Sequence, residues 1–352
     1  MRKIFFYICA VSALAACTKS EVQYEPAGEI SLAPVASNVT KSVAGYNDDA
    51  FDGVFPTEID LYVFANAGTG AAADHTEPYF KNAQFEWNSS KGTTDSQNGI
   101  ATEGAYAGNP TRYWPNVKTL VFAGYSDACG VDKTAPTMDF VANELTIPSY
   151  TQDNTTYKAE GANDLMWFAC DETVYDKRAK EIAASMQHAC SWITIKIAGD
   201  AVTSDNWKLN SLVVKNLAHT GSVTCGKSAA TWNIAADAAK ADETYYSNTT
   251  GATFSKTAAK FENQSNNFIV LPQTPTDLEV TYTYVSDAAN NISITETKSV
   301  PLKYDDADTA WQSGEHYIYN VTITATEILI DPVAVDWTAY DGNNIEKTVD
   351  EN

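Results

Sequence analysis

Ser191-Trp-Ile-Thr-Ile-Lys-Ile197 sets isoleucine at 193, 195 and 197 against Trp192, Thr194 and Lys196. Strict alternation over seven residues, carried by β-branched side chains, is the period of a strand with one buried face. The same pattern returns near the C-terminus, where Tyr317, Tyr319, Val321 and Ile323 alternate with Ile318, Asn320 and Thr322. In the first half Ile59, Leu61 and Val63 alternate with Asp60 and Tyr62. Working outward, short β-rich runs recur between gaps rich in Gly, Ser, Thr and Asn, such as 67–73, 89–99 and 105–110, which read as surface loops.

Helical periodicity is scarce. Residues 177–186 and 235–243 are short stretches that read as helical turns. Two groups of about seven strands, each near 150 residues long, predict an all-β chain of two β-sandwich domains in tandem. The expected units are 29–178 and 179–340, with a boundary where charges replace apolar residues around 171–185, and a polar tail at 341–352.

The N-terminus is written in a different code. Arg2 and Lys3 precede a run of about 13 mostly apolar residues, which ends at Leu14-Ala-Ala-Cys17. A bilayer span needs ~20, so residues 1–16 read as a secretory signal peptide. The cysteine directly after Leu-Ala-Ala resembles the lipobox of bacterial lipoproteins, which implies a covalent lipid on Cys17 and a polar tether over 17–28. Thr18 follows, with no aspartate there to imply inner-membrane retention, so the expected address is the outer membrane and cell surface.

Composition narrows the partners. The chain has 352 residues and a formal charge of −22, and loss of Arg2 and Lys3 with the signal takes it to −24. Such a surface repels nucleic acid and anionic lipid, so the acyl chain must do the anchoring. Cys129, Cys170, Cys190 and Cys225 are widely spaced, and their pairing stays open among three disulfide arrangements and buried thiols.

No catalytic constellation forms. Gly221-Ser-Val-Thr-Cys-Gly226-Lys227-Ser228 fits the phosphate-loop pattern, but Thr231-Trp-Asn-Ile234 follows where that loop requires a helix. A glycine-containing hairpin is the expected form. His75, His188, His219 and His316 are scattered, without metal-ligand spacing. Gly124-Tyr-Ser126-Asp-Ala128 lacks the second glycine of a nucleophile elbow. The expectation is a chain with no enzyme activity, no metal and no cofactor besides the lipid.

A set of pieces in fixed order resembles the fimbrillin family of Bacteroidales, the lipoprotein precursors of type V pili. They are Pro56-Thr-Glu-Ile-Asp-Leu-Tyr-Val-Phe64, Arg112-Tyr-Trp-Pro115 with Leu120-Val-Phe-Ala-Gly-Tyr-Ser126, Asn163-Asp-Leu-Met166, His188-Ala-Cys-Ser-Trp-Ile193, Ile269-Val-Leu-Pro-Gln273, and Trp311-Gln-Ser-Gly-Glu-His-Tyr317 leading to Val335-Asp-Trp337. The resemblance implies transthyretin-like, Greek-key sandwiches and a place in a fimbria that supports adhesion, as stalk, base or tip. It also implies assembly by strand exchange. The removable first strand would be 29–39, with Ile30 and Leu32 inward. Cleavage would fall at Lys41–Ser42, since no arginine lies between Cys17 and Arg112. The better donor is 331–337, where Val333, Val335 and Trp337 share a face. Partners would be other fimbrial subunits in head-to-tail order and a host or bacterial surface receptor. Asp308-Thr309-Ala310 resembles the O-glycosylation acceptor that Bacteroidetes use on exported proteins, with Thr309 as the site. The alternative is an outer-membrane glycan-binding lipoprotein of a polysaccharide-uptake system, using Tyr106, Tyr113, Trp114 and Tyr150.

Overall fold

The computed structural model describes residues 28–36, 60–88, 105–128, 130–153, 164–168, 174–175, 182–203, 206–259, 268–287, 292–304 and 309–336. Cys17, Lys41, Ser42, Cys129, Cys170 and Trp337 lie outside the described residues. Within them the chain is all-β, with one short 3-10 turn at Ala72–Asp74.

The first half supplies β1 (Ser31–Ala36), β2 (Leu61–Gly68), β3 (Glu77–Asn88), β4 (Ala105–Gly108), β5 (Thr119–Ser126), β6 (Thr137–Asp139), β7 (Glu144–Thr151), β8 (Met166–Phe168) and β9 (Ile182–His188). Seven of these close into a barrel in the order β1-β4-β3-β2-β5-β8-β9. Alternate residues fill it: Leu61 and Val63 from β2, Phe85 from β3, Leu120 and Phe122 from β5, and Ile182, Ala184 and Met186 from β9. The expected first sandwich is therefore a closed barrel, whose sheet has no free edges once β1 is in place.

The second half supplies β10 (Ser191–Gly199), β11 (Lys208–Ala218), β12 (Thr220–Cys225), β13 (Ala230–Asn233), β14 (Lys240–Thr253), β15 (Phe268–Val270), β16 (Asp277–Asp287), β17 (Ile292–Pro301), β18 (Glu315–Ile323) and β19 (Ile328–Asp336). Two four-stranded sheets, β15-β10-β18-β19 and β14-β11-β16-β17, share one core. The two alternating sequences that define the strand pattern are neighbours in this core. β10 runs parallel to β18, with Ile193 beside Tyr317, Ile195 beside Tyr319 and Ile197 beside Val321.

A fourth sheet, β13-β12-β7-β6, takes two strands from each half. Its cluster holds Leu145, Ile147 and Tyr150 from β7, Val223 and Cys225 from β12, and Trp167, Trp192 and Ile269 from the barrel and sandwich beside it.

Several local expectations change. The helical turn expected over 177–186 contains the start of β9, where Ile182, Ala184 and Met186 alternate with less buried residues. Because β9 pairs with β8 and β1, it belongs to the barrel although it lies past the expected boundary at 178. The turn expected over 235–243 runs into β14, which pairs with β11. Residues 105–108, read as loop, form β4 and pair with β3. In each case long-range pairing overrides weak local preference.

Candidate assembly surfaces

The first strand seats itself by backbone and by two side chains. Antiparallel pairing begins before β1: Ile30 N–H donates to the Arg112 carbonyl at 2.8 Å, and Trp114 N–H donates to the Gly28 carbonyl at 3.0 Å. β1 then lies beside β4 at Ser31–Ala107 and Leu32–Tyr106. On its other side it runs parallel to β9 from Leu32–Ile182 to Ala36–Met186. Pro34 falls beyond the short contact with β4, where β1 has a partner on one side, and a residue without N–H is tolerated there. Ile30 and Leu32 are 1% and 0% exposed, in the cluster with Tyr106, Trp114, Phe122 and Ile182. Without β1 the barrel would be open between β4 and β9, with unpaired backbone flanking an apolar floor.

The donor candidate lies at the opposite end of the chain. β19 is the last strand of its sheet and pairs antiparallel with β18 from Glu315–Asp336 to Ile323–Ile328. Ile328, Ile330 and Ala334 pack on the sandwich core. Val333 therefore stands on the face away from that core, in register with Ile318, and Val335 is in register with His316. The structure does not bring this segment near β1 by any strand pairing among the described residues.

The remaining motifs resolve into structural roles. Residues 221–228 form the β12–β13 hairpin, closed by Gly226 N–H to the Ala229 carbonyl at 2.8 Å. Ser126 is fully buried; its hydroxyl accepts from Met166 N–H at 2.9 Å and donates to the Asp164 carbonyl at 3.2 Å. His188 Nδ1 meets Asp164 Oδ2 at 2.7 Å, both groups sealed from solvent. A serine, an aspartate and a histidine thus lie in one region, and all three are buried. Cys190 and Cys225 are buried thiols in the shared cluster, and burial pushes the Cys225 thiol up, away from nucleophilic thiolate. Among the described residues no group of His, Cys, Asp and Glu has the spacing to hold a metal. Thr309 is half-buried.

The aromatic platform expected for a glycan is not there. Tyr106 and Tyr150 are 0% exposed and Trp114 3%; of the four, Tyr113 reaches solvent at 49%. These rings have large apolar areas, and the fold uses them as core. One feature escaped sequence reading. In β3, Lys81 and Asn82 together oppose the single residue Phe64, a bulge in which Asn82 takes φ +49°. Asn82 accepts from Tyr125 OH at 2.9 Å and donates to the Lys133 carbonyl. The bulge lines a cleft of ≈ 710 Å³ with Phe64, Phe80, Met138 and Phe140. Two polar residues, Lys81 and Asn82, ahead of a small alanine carry no pattern that would signal it.

A family profile described as fimbrillin-like matches residues 45–337. The crystal structure of a fimbrial protein from Bacteroides vulgatus superposes with a TM-score of 0.60 at 15% identity, covering 88% of this chain and 99% of that one. A fimbrial assembly protein from Parabacteroides distasonis gives 0.44 at 12% identity, over 88% of this chain and 96% of that chain. The tip fimbrial protein of Porphyromonas gingivalis gives 0.37 at 9% identity, over 88% and 100%. No functionally curated protein matches the chain.

Proposed function

This chain belongs to the fimbrillin-like family, and on that premise we propose that it is a structural subunit of a type V fimbria that supports adhesion, without catalysis. It is exported behind residues 1–16, acylated on Cys17 and carried to the outer membrane and cell surface. Cleavage after Lys41 releases β1, and a strand from a neighbouring subunit replaces it between β4 and β9. Such strand addition satisfies the exposed backbone and the apolar floor together. The contact is head-to-tail and does not close, so repetition gives a filament.

The observation that carries this reading is β1 itself. With Ile30 just ahead of it, β1 completes the barrel through two buried side chains and a short ladder, at the start of the described residues. Proline at 34 limits its pairing with β4, which suits a segment made to leave. β19 pairs with β18 along nine residue pairs, and a donor built from 331–337 would have to give up the six that run from Asn320–Asp331 to Glu315–Asp336. That cost supports an accessory or tip position, where a subunit accepts a strand and need not donate one.

The test is the N-terminus of the protein on intact cells, read by mass spectrometry of surface-shaved and whole-envelope fractions. A start at Ser42 is expected. A start at acylated Cys17 in all fractions overturns strand exchange and leaves an anchored, unprocessed lipoprotein.

A further inference from the structure

β17 reads Ile292-Ser-Ile-Thr-Glu-Thr-Lys-Ser-Val-Pro301 and ends the sheet β14-β11-β16-β17. No strand among the described residues lies on its other side. Its two faces differ. On one, hydroxyls form a ladder with β16: Thr281 with Thr297 at 3.0 Å and Thr283 with Thr295 at 2.8 Å, and Ser299 donates to Asp277 at 3.2 Å. On the other stand Ile294, Glu296, Lys298 and Val300. There Glu296 accepts from Tyr282 OH at 3.0 Å and Tyr284 OH at 3.1 Å, and Lys298 Nζ lies 3.7 Å from Glu296. The Lys298 side chain is 54% exposed.

This strand is complementary to itself. A two-fold rotation about Thr297 sets Glu296 opposite Lys298 of a second copy, and Lys298 opposite its Glu296. Thr295 then faces Ser299, and Ile294 faces Val300. Charge meets opposite charge and apolar meets apolar on one face, while the hydroxyl ladder continues on the other. Each such cross-strand pair is favourable. We propose that β17 is an isologous docking edge for a second copy of this chain, paired antiparallel about Thr297.

The charges also reject the neighbouring arrangements. Parallel in-register pairing sets glutamate beside glutamate and lysine beside lysine. Moving the axis to Glu296 or to Lys298 brings like charges face to face. Register is thus set by repulsion as well as attraction. Copies of a chain carrying −22 repel one another overall, and Lys298 places a positive charge where the two edges meet. The contact uses the second half of the chain and is independent of strand exchange at the barrel.

The test uses the purified, unprocessed full chain in detergent, with β1 retained so that strand exchange cannot contribute. Sedimentation equilibrium up to about 100 μM should show a monomer–dimer equilibrium. Lys298→Glu reverses two symmetry-related pairs and should weaken the dimer about tenfold or more; Glu296→Lys should do the same. The double variant E296K/K298E should restore it. Thr297→Cys sits on the axis and should give a disulfide-linked dimer under mild oxidation, whereas Ser293→Cys, opposite Pro301, should not. A chain that stays monomeric overturns the proposal, as would result from β17 being covered by the chain's own tail. So does failure of the double variant to recover while its secondary structure is intact, or equal cross-linking at 293 and 297.

Discussion

Leu32 is the side chain on which the closure of the barrel turns. It is fully buried, in register with Tyr106 on one side and Ile182 on the other. A leucine in such a site contributes the transfer of its own surface and prevents a cavity. Leu32→Ala in the unprocessed chain is therefore expected to cost about 2–5 kcal/mol, read as a fall in the urea midpoint at unchanged slope. Val117→Ala, at a position 85% exposed, should stay within about 0.5 kcal/mol of the parent. Equal effects at the two positions would mean that β1 is not part of the cooperative core. His188 and Asp164 illustrate the other use of residues here. Two ionisable groups are buried as a hydrogen-bonded pair, which removes the cost of leaving either alone in an apolar surrounding.

At the scale of elements, the β16–β17 hairpin carries its own pH window. Hydrogen bonds from Tyr282 and Tyr284 hold the Glu296 carboxyl below the usual carboxylate range. Its contribution is present above the unfolded value and is lost as pH falls through the folded one. Burial, and then the bond to Glu296, push the Tyr282 hydroxyl up to about 12. That proton is held more tightly in the fold, so its contribution is present below about pH 10 and is lost as pH rises towards 12. Hydrogen exchange of β17 amides, corrected for intrinsic rates, should show a plateau between these limbs. Tyr282→Phe should flatten the alkaline one, and an unchanged alkaline limb in that variant would remove Tyr282 as its cause. Legibility in sequence follows the same physics. β10, β18 and β2 were readable because each buries one face and so alternates. β17 has no such alternation to read, since both its faces are largely exposed and its pattern is threonine and charge. β4 was hidden by Ala105, Ala107 and Gly108, which signal loop by composition and are recruited by their neighbours. The inward place of Ile30 and Leu32 was an expectation from the family resemblance; the closure of the barrel around them was not foreseen, because register between distant strands leaves no local mark.

The whole molecule is not two beads on a string. β7 from the first half pairs with β12 from the second, from Thr151–Thr220 to Leu145–Cys225. The cluster under that sheet mixes Tyr125, Leu145, Tyr150 and Trp167 with Trp192, Val223, Cys225 and Ile269. The indole of Trp167 donates to the Gly226 carbonyl at 3.0 Å, and that of Trp232 to the Ala189 carbonyl at 2.6 Å. Neither half can shed these contacts without exposing large aromatic surface, so both should unfold together. Calorimetry of the unprocessed chain is expected to show one transition, with calorimetric and van't Hoff enthalpies in agreement. Val223→Ala, in the joint between the halves, should lower that single transition as a whole. It should not split off a second one. Two resolved transitions in the parent chain would show that the joint is a docking contact and not a shared core. The distinction bears on the fimbria. A subunit loaded in tension through its N-terminal barrel and its C-terminal sandwich passes force through this sheet, and a shared core resists extension where a hinge would yield.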